Sequence, residues 1–135
     1  MASPRDNMPE GGYHSITILQ GATFYDVVQV GYLTDPDDED SFVPIALDGL
    51  SGRSQGREHP NRDSIELIVF DVTVSQVTDT SDPACGLVEW RAGATVTGAV
   101  LKSGYYDLEI YDPLDSDIVY RPVQGSMTLN KEVTD

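Results

Sequence analysis

Residues 104–112, Gly-Tyr-Tyr-Asp-Leu-Glu-Ile-Tyr-Asp, alternate with a period of two. Tyr106, Leu108 and Ile110 fall on one side; Tyr105, Asp107, Glu109 and Tyr111 fall on the other. Successive side chains of a strand point to opposite faces, so this pattern specifies a half-buried β-strand. It excludes an amphipathic helix, whose apolar positions recur every three or four residues. Asp112-Pro113 ends the segment as a turn. Residues 118–123 read as the next strand, with Pro122 near its end, and Met127 and Leu129 give the inward face of a closing strand.

The same period recurs along the chain. Residues 14–33 read as two strand segments joined by a bend at Gln20-Gly21. Phe42 to Leu47 is a short apolar strand that Pro44 confines to an edge or a bulge. Residues 64–77 are the longest β run, with Leu67 and Val69 on one face and Ile68, Phe70, Val72 and Val74 on the other. Residues 86–91 add Leu87, Val88 and Trp90, the last read as core. Residues 93–98 read as a turn-rich connection. No helix-period stripe competes. About eight short strands with Gly and Pro between them define an all-β chain, expected as a single antiparallel β-sandwich, Ig-like or jelly-roll-like. Residues 13–135 form that domain. Residues 1–12, polar with two prolines and two glycines, form an extended, flexible N-terminal arm.

A length of 135 residues suits one domain. At this size a core forms without metal or disulfide. The formal charge of −15 argues against nucleic acid and anionic lipid, both of which need clustered Lys and Arg. Two explanations of the charge stay open: solubility, and a surface complementary to a basic partner. Cys85, the only cysteine, sits in a turn and reads as a structural or incidental thiol. The N-terminus has no apolar stretch of signal-peptide type, and no apolar run reaches the length of a membrane span. Synthesis and assembly in the cytoplasm are expected.

Several residue groups are candidates for function. Asp35, Asp37, Asp38, Glu39 and Asp40 offer hard oxygen ligands for Ca²⁺, but no glycine supplies the sharp turn of an EF-hand loop, so a solvated acidic loop is favoured and no metal is assigned. Ser54, His59 and Asp63 contain the letters of a hydrolytic triad without its spacing or a nucleophile elbow. No catalytic residue or cofactor is therefore assigned. Residues 48–62 read as a long polar loop holding Arg53, Arg57 and Arg62, half of the six arginines. Their planar forks suit carboxylates across an interface, and a solvated loop weighs equally. Tyr105, Tyr111 and the nearby Tyr120 are a candidate aromatic contact face, with cross-strand packing of the tyrosines the favoured reading.

Four segments, in order, resemble the small β-sandwich virion proteins of tailed bacteriophages, a group that includes baseplate upper protein N-terminal domains. They are Ile16-Thr-Ile-Leu-Gln-Gly-Ala-Thr-Phe24, Pro44-Ile-Ala-Leu-Asp-Gly49, Gly104-Tyr-Tyr-Asp-Leu-Glu-Ile110, and the stretch from Gln124-Gly125 to Glu132-Val-Thr134. The acidic loop and the arginine-bearing segment depart from the family pattern. The resemblance implies a non-enzymatic structural role in the virion. A head decoration or cement protein is the leading expectation and a tail or baseplate adaptor the alternative. Partners would be capsid or tail subunits and further copies of the chain, a trimer being one such assembly. A carbohydrate-binding module using the tyrosine face is a reading from a different class.

Overall fold

The computed structural model describes residues 12–61 and 63–131. The expected arm, apart from Gly12, and Arg62 lie outside the described residues. The class is all-β. Ten strands form among the described residues: β1 (Gly12–Tyr13), β2 (Ile16–Leu19), β3 (Phe24–Gln29), β4 (Gly31–Leu33), β5 (Phe42–Pro44), β6 (Ser51–Arg57), β7 (Glu66–Val74), β8 (Leu87–Ala92), β9 (Gly104–Asp112) and β10 (Asp115–Asn130). One short helix, α1 (Ala94–Gly98), lies between β8 and β9. No helix among the described residues is long and apolar enough to cross a membrane.

Eight strands make one sheet, in the order β1-β10-β9-β6-β7-β8-β3, with β2 also on β10; β4 and β5 pair separately. The sheet is mixed, which corrects the purely antiparallel expectation. Gly12 and Tyr13 lie parallel to Val123 and Gln124, and Ile16–Leu19 lie parallel to Met127–Asn130 in the same register. β1 and β2 are thus one interrupted strand along β10. Alternation fixes which face a residue takes, but it carries no information on strand direction.

The sheet is nearly closed. β2 sits at one end of the order and β3 at the other, yet only residues 20–23 join them in sequence. The bend predicted there forms, with Gly21 at φ +83°, a conformation that costs glycine little. His14 Nε2 meets Asp26 Oδ2 at 3.0 Å across the seam. Residues 94–100 cover the barrel end beside that bend. Thr97 Oγ1 donates to the Ala22 carbonyl at 2.7 Å, Gln20 Nε2 donates to the Val100 carbonyl at 2.8 Å, and Thr97 and Val100 are buried. The segment read as a turn-rich connection is therefore a helical turn. Its lack of charged residues leaves it free to pack against the bend rather than face water.

The core gathers Ile18, Leu47, Val88, Trp90, Leu108, Ile110 and Met127, all at most 1% exposed. Phe24, Phe70, Trp90 and Tyr106 form an aromatic chain through it, with ring centroids 5.2–6.3 Å apart. Such contacts add a modest, geometry-dependent term to area burial. The buried Cys85 thiol is raised above its ordinary pKa, first by burial and then by Asp79, Asp82 and Asp48.

The largest departure from sequence expectation is β6. Residues 51–57, read as loop, form a central strand between β7 and β9. Its inward positions are Gly52, Ser54 and Gly56, which carry almost no side-chain volume. Neighbouring strands fill that volume instead. A Cβ on Gly56 would lie 2.6 Å from the Ile68 side chain and 2.7 Å from Met127 Sδ. The loop that remains is 58–65.

Candidate functional site

The outer faces of β6, β9, β10 and β1 carry three rows of polar and aromatic side chains, set by strand register. Gln55, Asp107, Gln124 and Tyr13 form one row across four strands. Arg57, Tyr105 and Ser126 form the next. Arg53 and Glu109 form a third, which Arg121 joins through a bulge. At that bulge Arg121 and Pro122 together face Glu109. The extra residue accommodates Pro122, which has no N–H to give to a ladder.

The third row is a compact charge network. Glu109 is 6% exposed although it lies on the outer face. Arg53 donates from Nη2 to Glu109 Oε2 at 3.1 Å, and its guanidinium carbon stands 4.9 Å from the centre of the Tyr111 ring. Arg121 Nη2 lies 3.7 Å from Glu109 Oε1. Its Nε lies 3.3 Å from Asp107 Oδ2, an ion pair without hydrogen-bond alignment. Arginine and tyrosine cover the carboxylate here, so the expected solvated alternation stops at Glu109.

Beside this network the face dips into a groove of about 440 Å³. Its floor is the first two rows. His59 and Pro60, from the loop after β6, make one wall, and Tyr13 stands opposite. Arg57 donates to Gln55 Oε1 and to the Ser64 carbonyl, which ties that loop to the strand. Tyr106 reaches the groove from below. Its ring lies on the core side and its hydroxyl donates to the His14 carbonyl at 2.5 Å. Burial, more than the nearby Asp26 and Tyr13, holds that phenol well above its ordinary pKa. Gly56 and Gly125 flank Tyr106 on the two neighbouring strands. A Cβ at Gly125 would lie 2.2 Å from the His14 carbonyl oxygen. Tyr13 is pulled below its ordinary pKa, first by hydrogen bonding to Ser126 and Ser15.

The structure sorts the sequence candidates. Arg53, Arg57, Tyr105 and Tyr111 share the outer face. Tyr120 does not: it pairs with Ile110 and packs against the core, so the three-tyrosine face is corrected to two. The reason is the bulge, which follows Tyr120 and leaves it in phase with inward Ile110. Tyr13, Gln124 and Arg121 join the face and were not singled out from sequence. Tyr13 reaches it from a strand distant in the chain, and Arg121 and Gln124 reach it from β10, whose phase a bulge sets.

Ser54 and His59 are not brought together. Ser54 faces the interior and donates to the Asp107 carbonyl at 2.6 Å, while His59 is exposed on the loop. In the acidic loop, Asp35 and Asp38 accept backbone N–H groups at 2.9–3.0 Å around a 3₁₀ turn, Glu39–Ser41. Among the described residues no three His, Cys, Asp or Glu side chains are grouped to hold a metal. This loop caps the β4–β5 hairpin, which exposes apolar side chains on both of its faces. Leu33 and Phe42 oppose one another on one face and Tyr32 lies on the other, each about 40% exposed. The hairpin joins the barrel where β6 begins, and the groove lies where β6 ends.

No protein-family model matches the chain, and no curated protein matches it significantly in sequence.

Proposed function

We propose that the chain is a non-enzymatic structural protein of a tailed-bacteriophage virion, and within it a head decoration protein that docks on the assembled shell. The ordered likeness of its four short segments to phage virion proteins motivates the class. Its finer fold reading is a β-sandwich like that of those proteins, with the sheet nearly closed and β1 and β2 parallel to β10. The observation that carries the docking reading is the β4–β5 hairpin. It leaves Leu33 and Phe42 partly exposed side by side on one face and Tyr32 on the other, next to the loop that carries Asp35, Asp37, Asp38, Glu39 and Asp40. Exposed apolar side chains beside charged ones suit a protein contact, and the acidic loop suits a basic partner. Docking by this end leaves the groove end of the barrel facing outward.

The test is cosedimentation of the purified chain with emptied phage heads, followed by protein quantification in virions. Binding to heads, lost in Leu33→Asp and Phe42→Asp variants that stay folded, is the expected result. A copy number near that of the major capsid subunit belongs to decoration. A few copies per particle assign the chain to the tail or baseplate, and its absence from virions ends the proposal.

A further inference from the structure

The groove has a composition that a protein–protein contact does not require. Among the described residues its lining is aromatic rings and planar polar groups, with Pro60 the one wholly aliphatic side chain. Two tyrosines stand in it two strands apart, Tyr13 at 71% and Tyr105 at 43% exposed. Beside them lie Gln55, Asp107 and Gln124, side by side on β6, β9 and β10. Amides of this kind give to and accept from neighbouring hydroxyls, and a carboxylate accepts from two of them in one plane. Tyrosine rings offer the flat apolar surface that the C–H face of a sugar covers. The volume, about 440 Å³, lies within the roughly 300–1,000 Å³ of small-ligand clefts.

Charge narrows the ligand. Arg121 is paired with Asp107 and Glu109, and Arg57 donates to Gln55 Oε1 and to the Ser64 carbonyl, so both arginines of the lining are already engaged within the protein rather than held out for an acidic ligand. The chain as a whole, at −15, repels anions. Arg57 and Arg121 in turn oppose a cationic ligand. An aliphatic peptide finds no pocket. A neutral, hydroxyl-rich ligand with an apolar face satisfies all four conditions.

We infer that this groove is a binding site for a neutral glycan, whose sugar rings stack on Tyr105 and Tyr13 while their hydroxyls bridge to Asp107, Gln55 and Gln124. The site is independent of the docking hairpin, which joins the opposite end of the barrel. A particle carrying this chain would thereby display a sugar-binding surface. Rigid strands preorganise the floor, and only the 58–65 wall is loop.

Saturation-transfer NMR on the purified full chain tests this with methyl glycosides and short neutral oligosaccharides of glucose, galactose, mannose and N-acetylglucosamine, with sialyllactose as the acidic comparison. Transfer to ring C–H protons from at least one neutral probe is expected. Tyr105→Ala should weaken it about two- to tenfold, and Asp107→Asn should also weaken it. Leu33→Asp, in the hairpin, should leave it unchanged, so failure of the docking reading does not affect the result. Thermal melts of the variants separate lost binding from lost folding. If Asp107→Asn melts early, Gln124→Ala on the exposed side of β10 replaces it. Absence of transfer from every neutral probe, preference for sialyllactose, or transfer that survives Tyr105→Ala overturns the inference.

Discussion

β6 and β9 are neighbours, paired one to one from Ser51↔Tyr111 to Arg57↔Tyr105, yet they are built in opposite ways. β9 sends Tyr106, Leu108 and Ile110 inward. β6 sends Gly52, Ser54 and Gly56. One strand supplies the core and the other makes room for it. The space over β6 is filled by Val72 and Ile68 from one side and Met127 from beyond β9. A strand is therefore defined by the volume its neighbours leave as much as by its own side chains. Close packing of interiors makes that shared accounting strict.

The comparison breaks most severely if mass is removed from β9. Leu108→Ala, at a fully buried position, is expected to cost about 2–5 kcal/mol, read as a lower urea midpoint at unchanged slope. A loss below that of an exposed substitution such as Leu101→Ala would mean that β9 is not the core-bearing strand.

Adding mass to β6 should come next. Gly56→Val forces Ile68 and Met127 aside and is expected to cost about 1–3 kcal/mol. Combined with Met127→Ala, the total should fall short of the sum of the two single costs, because the new methyls occupy vacated space. Strict additivity in that double-mutant cycle would show that Gly56 does not face Met127.

A smaller effect tests the outer faces of the same pair. Arg53→Met leaves Glu109 with Arg121 as its remaining ion-pair partner among those described above. Arg53 is half exposed, so the expected loss is only about 0.2–1 kcal/mol, and it should shrink as salt is added. A loss independent of salt would assign the role of Arg53 to packing on Tyr111 rather than to charge.

The smallest effect lies just past β6. Lys102 Nζ sits 2.8 Å from Glu58 Oε1, and that hydrogen bond is the main reason the Glu58 carboxyl titrates below its ordinary value. A depressed folded pKa contributes stability above the unfolded value, and the contribution is lost as pH falls through the folded one. Lys102→Met should return Glu58 toward the ordinary glutamate range and remove that part of the acid dependence. Carboxyl-carbon NMR titration of Glu58 reads it directly; an unchanged midpoint would rule out the Lys102 contact in solution.

Legibility in the sequence followed side-chain volume. β7, β8 and β9 were readable because apolar residues alternate within them, and Trp90 was readable as core for its size. β6 was not, because Ser51-Gly-Arg-Ser-Gln-Gly-Arg57 has the composition of a loop; only the recurrence of small residues at every second position marked it. Four residues of the candidate face, Tyr105, Tyr111, Arg53 and Arg57, were singled out in the sequence, and its other members were not. Tyr120 was grouped with the other two tyrosines for its nearness, whereas its pairing with inward Ile110, just before the bulge at Arg121-Pro122, turns it toward the core, and a bulge leaves no mark in alternation along the chain.

By itself the sequence determined the all-β class, the division of β7 into two faces, the inward face of β9, and a net negative charge, because each depends on local pattern or on composition. The tertiary structure alone decided that β1 and β2 run parallel to β10, that a glycine-rich strand occupies the centre of the sheet, and that Tyr13, Gln55, Tyr105, Asp107 and Gln124 share one groove. Those facts depend on which strands become neighbours and in what register. Backbone hydrogen bonds between distant segments set that, and they leave almost no mark on the order of side chains.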